Sequence, residues 1–187
     1  MNKKPRPIKV VAISGSLQAA SRDTALLRLA SSLAPECMEI TLYDGIGDLP
    51  LFNPDLDTAA LSSLVEFRAR LDESDGVLIA SPEHAHGVPG VLKNALDWII
   101  ETKEIANKPI AILNASPRTM LAQKNLTEIL TAMDGRIVPE ASIIVPLASD
   151  NLNETKIISS PKVSSAIHSA VLAFAVAIDR FRSEASE

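Results

Sequence analysis

The sequence predicts an α/β domain on a parallel sheet of five strands, and three observations carry that prediction. Short apolar runs alternate with segments of helical periodicity along the chain, a βαβ pattern with right-handed crossovers. Hydrophobic residues make up 47% of the chain and aromatics only 3%. The core is therefore built from Ala, Leu, Ile and Val, as in strands covered by helices on both faces. Two of the apolar runs lead into loops rich in small, hydroxyl-bearing or Gly and Pro residues that open into helices. Open α/β sheets hold a ligand in this way, at the carboxyl ends of their strands.

Each element follows from local pattern. Residues 8–14 (IKVVAIS) form the first strand, and 24–33 place Leu26, Leu27, Leu29, Ala30 and Leu33 on one helical face. Residues 38–43 (MEITLY) alternate and form the second strand. The turn residues Pro50, Asn53, Pro54 and Asp55 make 45–58 a loop. A helix is expected over 59–73, a third strand over 76–81 and a third helix over 90–101. Residues 109–114 (PIAILN) form the fourth strand, followed by a helix over 121–133 that stops near Gly135. The fifth strand is expected at 141–146 (ASIIVP), then a polar loop at 151–156. The last helix runs over 160–181, with Pro161 suited to its first turn. A single domain over 1–187 is expected, frayed at 1–6 and 183–187.

Composition narrows the function. The net charge of −5 argues against a general nucleic-acid binder, which shows a basic face. The basic start MNKKPRPIK leads into a run shorter than the apolar core of a signal peptide, and no membrane span is expected. The single cysteine, Cys37, excludes an internal disulfide and a cysteine-based metal site, and is read as a packing residue. These features fit a soluble cytoplasmic protein. Asp72, Glu73 and Asp75 read as a solvated helix end, and His168 as a surface residue of the last helix.

The loop Ser14-Gly15-Ser16-Leu17-Gln18-Ala19-Ala20-Ser21 has neither the Lys of a P-loop nor the spacing of a dinucleotide fingerprint. It has three hydroxyls at a strand-to-helix turn, where backbone N–H groups point at an anion. A single phosphate suits it; equally, Ser21 serves simply as the helix cap. The second loop, SPEHAHGVPG, turns on Pro82, Gly87, Pro89 and Gly90. His84 and His86 lie two apart, but no third ligand for a metal is evident.

ISGSLQAASRDTALL followed by SPEHAHGVPGVLKNALDW resembles the NADPH-dependent FMN reductase family, which includes chromate, quinone and azo-dye reductases. Its first loop reads G-S-L-R-x-x-S-x-N and its second [ST]-P-E-Y-x-x-x-x-P-G-x-L-K-N-A-[IL]-D-W. Pro82, Glu83, Pro89, Gly90, Leu92, Lys93, Asn94, Ala95, Leu96, Asp97 and Trp98 match the second pattern, about 65 residues after the first.

The resemblance implies a flavodoxin-like three-layer sandwich with strand order 2-1-3-4-5 and FMN between the first and third strands. It implies that Ser14, Ser16, Gln18, Ser21 and Asp23 hold the FMN phosphate. Two of these depart from the family: Gln18 replaces Arg and Asp23 replaces Asn, which predicts weaker FMN binding. Pro82, Glu83, His84, Ala85, His86 and Gly87 would cover the isoalloxazine ring, with His84 where Tyr is usual. Ser116 and Arg118 belong to a third loop, NASPRT. Arg118 serves either NADPH phosphates or the flavin edge, or is a solvated loop arginine. Lys93, Asn94 and Asp97 are read as polar anchors of the second loop and Trp98 as a residue of a subunit interface.

The activity implied is NAD(P)H-dependent reduction of flavin, quinone or a similar small-molecule electron acceptor, with FMN and NADPH as cofactors and no catalytic side chain or metal. A homodimer or homotetramer is expected. The alternative is a flavodoxin-like protein with weakened FMN binding that acts as a sensor or interaction protein.

Overall fold

Three strands read as unbroken apolar runs because helices cover them on both sides. In the computed structural model, which describes residues 6–116, 120–145 and 154–184, β1 (Ile8–Ser14), β3 (Gly76–Ala80) and β4 (Pro109–Asn114) are buried almost throughout. β2 (Met38–Tyr43) alternates between buried and more exposed residues, as an edge strand does. The sheet is parallel, in the order β2-β1-β3-β4-β5.

Side chains leave a strand on alternate faces, so each central strand feeds two cores. Ile8, Val10 and Ala12 of β1, with Leu78, Ala80, Ala111 and Leu113, meet α1 (Arg22–Ser32) and α6 (Pro161–Glu184). Val11, Ile13, Val77, Ile79, Ile110 and Ile112 meet α2 (Ser62–Asp72), α3 (Gly90–Asp97) and α4 (Met120–Ala132). Phe174 fills the first core and Phe67 the second. This is the three-layer sandwich expected.

The fifth strand is corrected. Of the expected strand at 141–146 only β6 (Ile143–Ile144) forms, and a strand missed from the sequence, β5 (Arg136–Ile137), precedes it; both pair with β4. Between them Pro139 opens a 3-10 turn, Pro139–Ala141. Proline has no N–H to continue a ladder, so the chain lifts off β4 and returns two pairs further along. Of the stretch expected to be loop at 151–156, residues 154–156 belong to α5 (Glu154–Ile158), whose Ile157 is buried in the first core, and 151–153 lie outside the described residues.

α3 ends at Asp97, four residues short of expectation. Arg68 donates to the Trp98 carbonyl at 2.8 Å, and the chain then passes through turns to β4. α6 contains an 18-residue window of mean hydropathy 1.5, an apolar stretch missed from the sequence. Val163, Ile167, Ala170, Val171, Phe174, Ala175 and Ile178 on it are all buried in the first core.

Four other expectations are corrected. Cys37 is exposed rather than packed. Trp98 is 2% exposed within the subunit, where its ring N–H donates to the Pro50 carbonyl at 2.7 Å and its face meets Phe52 edge-on. A ring so enclosed has no surface to offer a partner. Asp75 is not solvated: its side chain is 8% exposed and accepts from Arg6, Arg182 and the Lys9 amide. Arg6 is accordingly held rather than frayed, and α6 continues through Ser183 to Glu184.

Candidate functional site: the loops at the carboxyl ends of β1 and β3

β1 and β3 are neighbours, with Ser14 opposite Ala80 at their carboxyl ends. The loops that leave them touch at once. The Gly15 amide donates to the Ala80 carbonyl at 2.8 Å, and a Cβ at Gly15 would lie 2.4 Å from Ser81 Oγ. Only glycine allows that approach. Gly15 thus locks the first two sequence-predicted loops together.

Within the first loop each hydroxyl oxygen supports the loop's own shape. Ser14 Oγ shares a 2.8 Å hydrogen bond with Thr24 Oγ1 and accepts from the Ser16 amide. Ser16 Oγ accepts from the Gln18 amide at 3.2 Å. Ser21 caps α1, accepting from the Thr24 amide. Leu17, Gln18, Ala19 and Ala20 are exposed. The amides of Leu17, Ala19 and Ala20 have no partner among the described residues. Bare amides beside a helix N-terminus suit an anion such as a phosphate.

Asp23, the second residue of α1, is 7% exposed, and its Oδ1 has no hydrogen-bond partner. Burial pushes its carboxyl above the ordinary aspartate value, against the opposing fields of Arg22 and His84. The structure therefore brings His84 of the second loop within electrostatic reach of Asp23.

The second loop is a tight hairpin. His84 and Gly87 exchange both backbone hydrogen bonds, at 3.1 and 2.9 Å, around Ala85 and His86 with φ of 50° and 65°. Two successive positive φ values make a type I′ turn, which for non-glycine residues costs about 1 kcal/mol each. Glu83 holds it in place: its carboxylate accepts from the Ala122 amide of α4 at 3.0 Å and lies 3.1 Å from His86 Nδ1. The Ala122 hydrogen bond, aided by His86 and opposed by partial burial, holds the Glu83 carboxyl below its ordinary range. Asn125 also donates to the His86 carbonyl. Pro82 lies half-buried, and the hairpin tip at Ala85 faces solvent.

The sequence reading missed this bracing and placed another wrongly. Asn94 bridges Pro50 and Phe52 of the loop after β2 rather than the second loop, while Lys93 pairs with Asp97 along α3. Beyond β4, the Ser116 amide donates to Asn114 Oδ1, and Asn114 Nδ2 donates to Gln123 of α4 at 2.7 Å. Asn114 and Gln123 were legible only as polar residues near a strand end. Arg118 lies outside the described residues. Among the described residues no group of three or more His, Cys, Asp or Glu could hold a metal ion.

Clefts elsewhere have a different character. One of about 310 Å³ lies between β2 and α2, lined by cations (Lys9, Arg70) and acids (Glu39, Glu66) in mixture. It lies beside the sheet edge and shares no residue with the loops that follow β1 and β3.

The sequence profile of the NADPH-dependent FMN reductase family matches residues 8–150. The chain is 37% identical over 149 residues to an NAD(P)H-dependent FMN reductase of Pseudomonas aeruginosa, spanning 76% of this chain and 80% of that one. It is 31% identical over 141 residues to a quinone reductase of Escherichia coli, spanning 70% and 73%. Among solved structures, the flavoenzyme NAD(P)H:(acceptor) oxidoreductase FerB of Paracoccus denitrificans superposes with a TM-score of 0.80 at 29% identity, covering 93% of this chain and 98% of that one.

Proposed function

We propose residue roles for a chain that belongs to the NADPH-dependent FMN reductase family. It is an NAD(P)H-dependent, FMN-using oxidoreductase with a flavodoxin-like fold, acting on small-molecule acceptors. Among these acceptors we assign quinones, the class named for the Escherichia coli relative.

The observation that supports the placement is the contact of Gly15 with Ser81, which joins the loops of adjacent strands at the point where strand order reverses. The FMN phosphate is assigned to the Ser16–Ser21 loop, where the amides of Leu17, Ala19 and Ala20 and the Gln18 side chain are its donors. Ser14 and Ser21 shape that loop and α1, and Asp23 closes its inner side. The backbone of Pro82–Gly87 borders the ring, Glu83 fixes that hairpin on α4, and His84 lies at the entry. Ser116 and Arg118 are assigned to the third side. FMN held by these residues would supply the redox chemistry between NAD(P)H and the acceptor. The protein binds, orients and shields.

A homodimer or homotetramer and a cytoplasmic location complete the reading. The exposed, unpaired thiol of Cys37 fits a reducing compartment. With Trp98 enclosed, the surface we assign to a second copy is the groove of about 320 Å³ between α3 and α4, lined by Leu96, Ile100, Ile129 and Met133. Lys103 and Asp134 flank it, so it carries both signs and complements itself across a two-fold axis.

Titrating FMN into the purified protein, then following NADPH consumption with a 1,4-benzoquinone, tests the reading. Quenched flavin fluorescence and quinone-dependent NADPH oxidation are expected. Failure of Gly15→Ala to weaken FMN binding removes the placement.

A further inference from the structure

Asp23 is out of place for a site that takes a phosphate. The residue is 7% exposed, its buried Oδ1 has no partner, and it sits one residue inside the helix whose N-terminus faces the assigned anion. Buried polar atoms in native proteins are almost always hydrogen-bonded. An orphaned one beside a ligand loop is matched to a group that arrives with the ligand. A carboxylate cannot meet a phosphate, because both only accept hydrogen bonds and both are anionic. A carboxylic acid can, since its O–H donates.

Resting on the flavin reading above, we propose that FMN binding draws one proton from solvent onto Asp23, and that the neutral acid then donates a hydrogen bond to the FMN phosphate. Asp23 thereby adds a second neutral donor to the one that Gln18, exposed at the loop, offers.

The groups that face Asp23 set how far this goes. Burial favours the acid and holds the group above the ordinary aspartate value, while Arg22 on α1 and His84 from the second loop both favour the carboxylate. A phosphate carrying about −1.5 to −2 charges adds a like charge and pushes the same way as burial. Binding and proton uptake are then linked, and FMN affinity falls as pH rises.

The test measures dissociation constants for FMN and riboflavin by fluorescence quenching between about pH 6.5 and 8.5, above the second phosphate ionisation near 6. It uses the wild type and Asp23→Asn, with titration calorimetry of the wild type in buffers of different ionisation enthalpy. The expected wild-type FMN affinity weakens with rising pH by up to about tenfold per unit, the limit for one linked proton. Riboflavin affinity stays flat, Asp23→Asn shows the residual slope of the phosphate alone, and calorimetry shows net proton uptake. A pH-independent wild-type affinity without proton uptake overturns the linkage while leaving the flavin reading in place. So does an unchanged slope in Asp23→Asn, which assigns the proton to another group. If riboflavin binds as tightly as FMN, the phosphate does not meet Asp23 and the proposal fails. If neither protein binds either flavin, the flavin reading fails with it. The calorimetry needs only the wild type, so the result does not depend on how the variant folds.

Discussion

Two aspartates at opposite ends of the sheet both draw their side chains away from solvent, yet their surroundings are opposite. Asp75 precedes β3; one carboxylate oxygen takes Arg6 at 2.7 Å, the other takes Arg182 at 2.5 Å and the Lys9 amide at 2.8 Å. Asp23 follows β1 and has an oxygen with no partner at all. At Asp75 burial alone would raise the carboxyl, but the hydrogen bonds outweigh it and hold it below the ordinary value; at Asp23 burial prevails. A saturated buried charge ties α6 and the N-terminal segment to the sheet and is structural. An unsaturated one costs stability, and here it lies beside the loop to which we assign the phosphate. The contrast separates the end of the sheet that holds the fold together from the end to which we assign the ligand.

The largest expected effect is at the saturated end. Asp75→Asn removes the charge that Arg6 and Arg182 share and costs about 2–3 kcal/mol of folding stability, less than a fully buried pair because Arg6 is exposed. Urea denaturation measures it, and FMN affinity should change by less than about twofold, since no ligand group is touched. A variant that keeps its stability but loses flavin would dissolve the distinction.

Gly15→Ala is the counterpart at the end assigned to the ligand. Its new Cβ meets Ser81 at 2.4–2.8 Å, and separating the loops costs about 1–3 kcal/mol as overpacking does. Here both the melting temperature and FMN affinity should fall.

Next is Gln18→Arg, which adds a charged donor to the exposed loop and should tighten FMN by about tenfold, the low end for a charge-assisted hydrogen bond. Fluorescence titration reads it; unchanged affinity would move the phosphate elsewhere.

The smallest effect sharpens the comparison by sign. Asp23→Asn should stabilise the free protein by about 1 kcal/mol at neutral pH, by relieving a buried unpaired carboxylate. Asp23 has a raised folded pKa, so its penalty is absent below the unfolded value of about 3.9 and grows as pH rises toward the folded one. Asp75 has a depressed folded pKa, so its contribution is present above about 3.9 and is lost as pH falls through the folded value. Across the acid limb, Asp23→Asn should gain on the wild type with rising pH and Asp75→Asn should lose. Parallel curves for the two variants would refute the contrast.

By itself the sequence determined the layers, the strand-helix alternation, the first four strands, and the two loops that meet at the switch point. These rest on periodicity and on turn residues, which act within a few positions of where they stand. It also exposed Gln18 and Asp23 as departures from the pattern of the resembling family. Only the tertiary structure decided the rest. Pro139 separated β5 from β6 because pairing with β4 demands N–H groups at defined positions. Trp98 turned inward because Pro50, 48 residues away, supplies an acceptor. Asp75 became a clamp because Arg6 and Arg182 come from the two ends of the chain. Asp23 became the anomaly of the site because burial and the lack of a partner are properties of its surroundings. A residue's type names the hydrogen bonds it can make, while the fold decides which of them are filled.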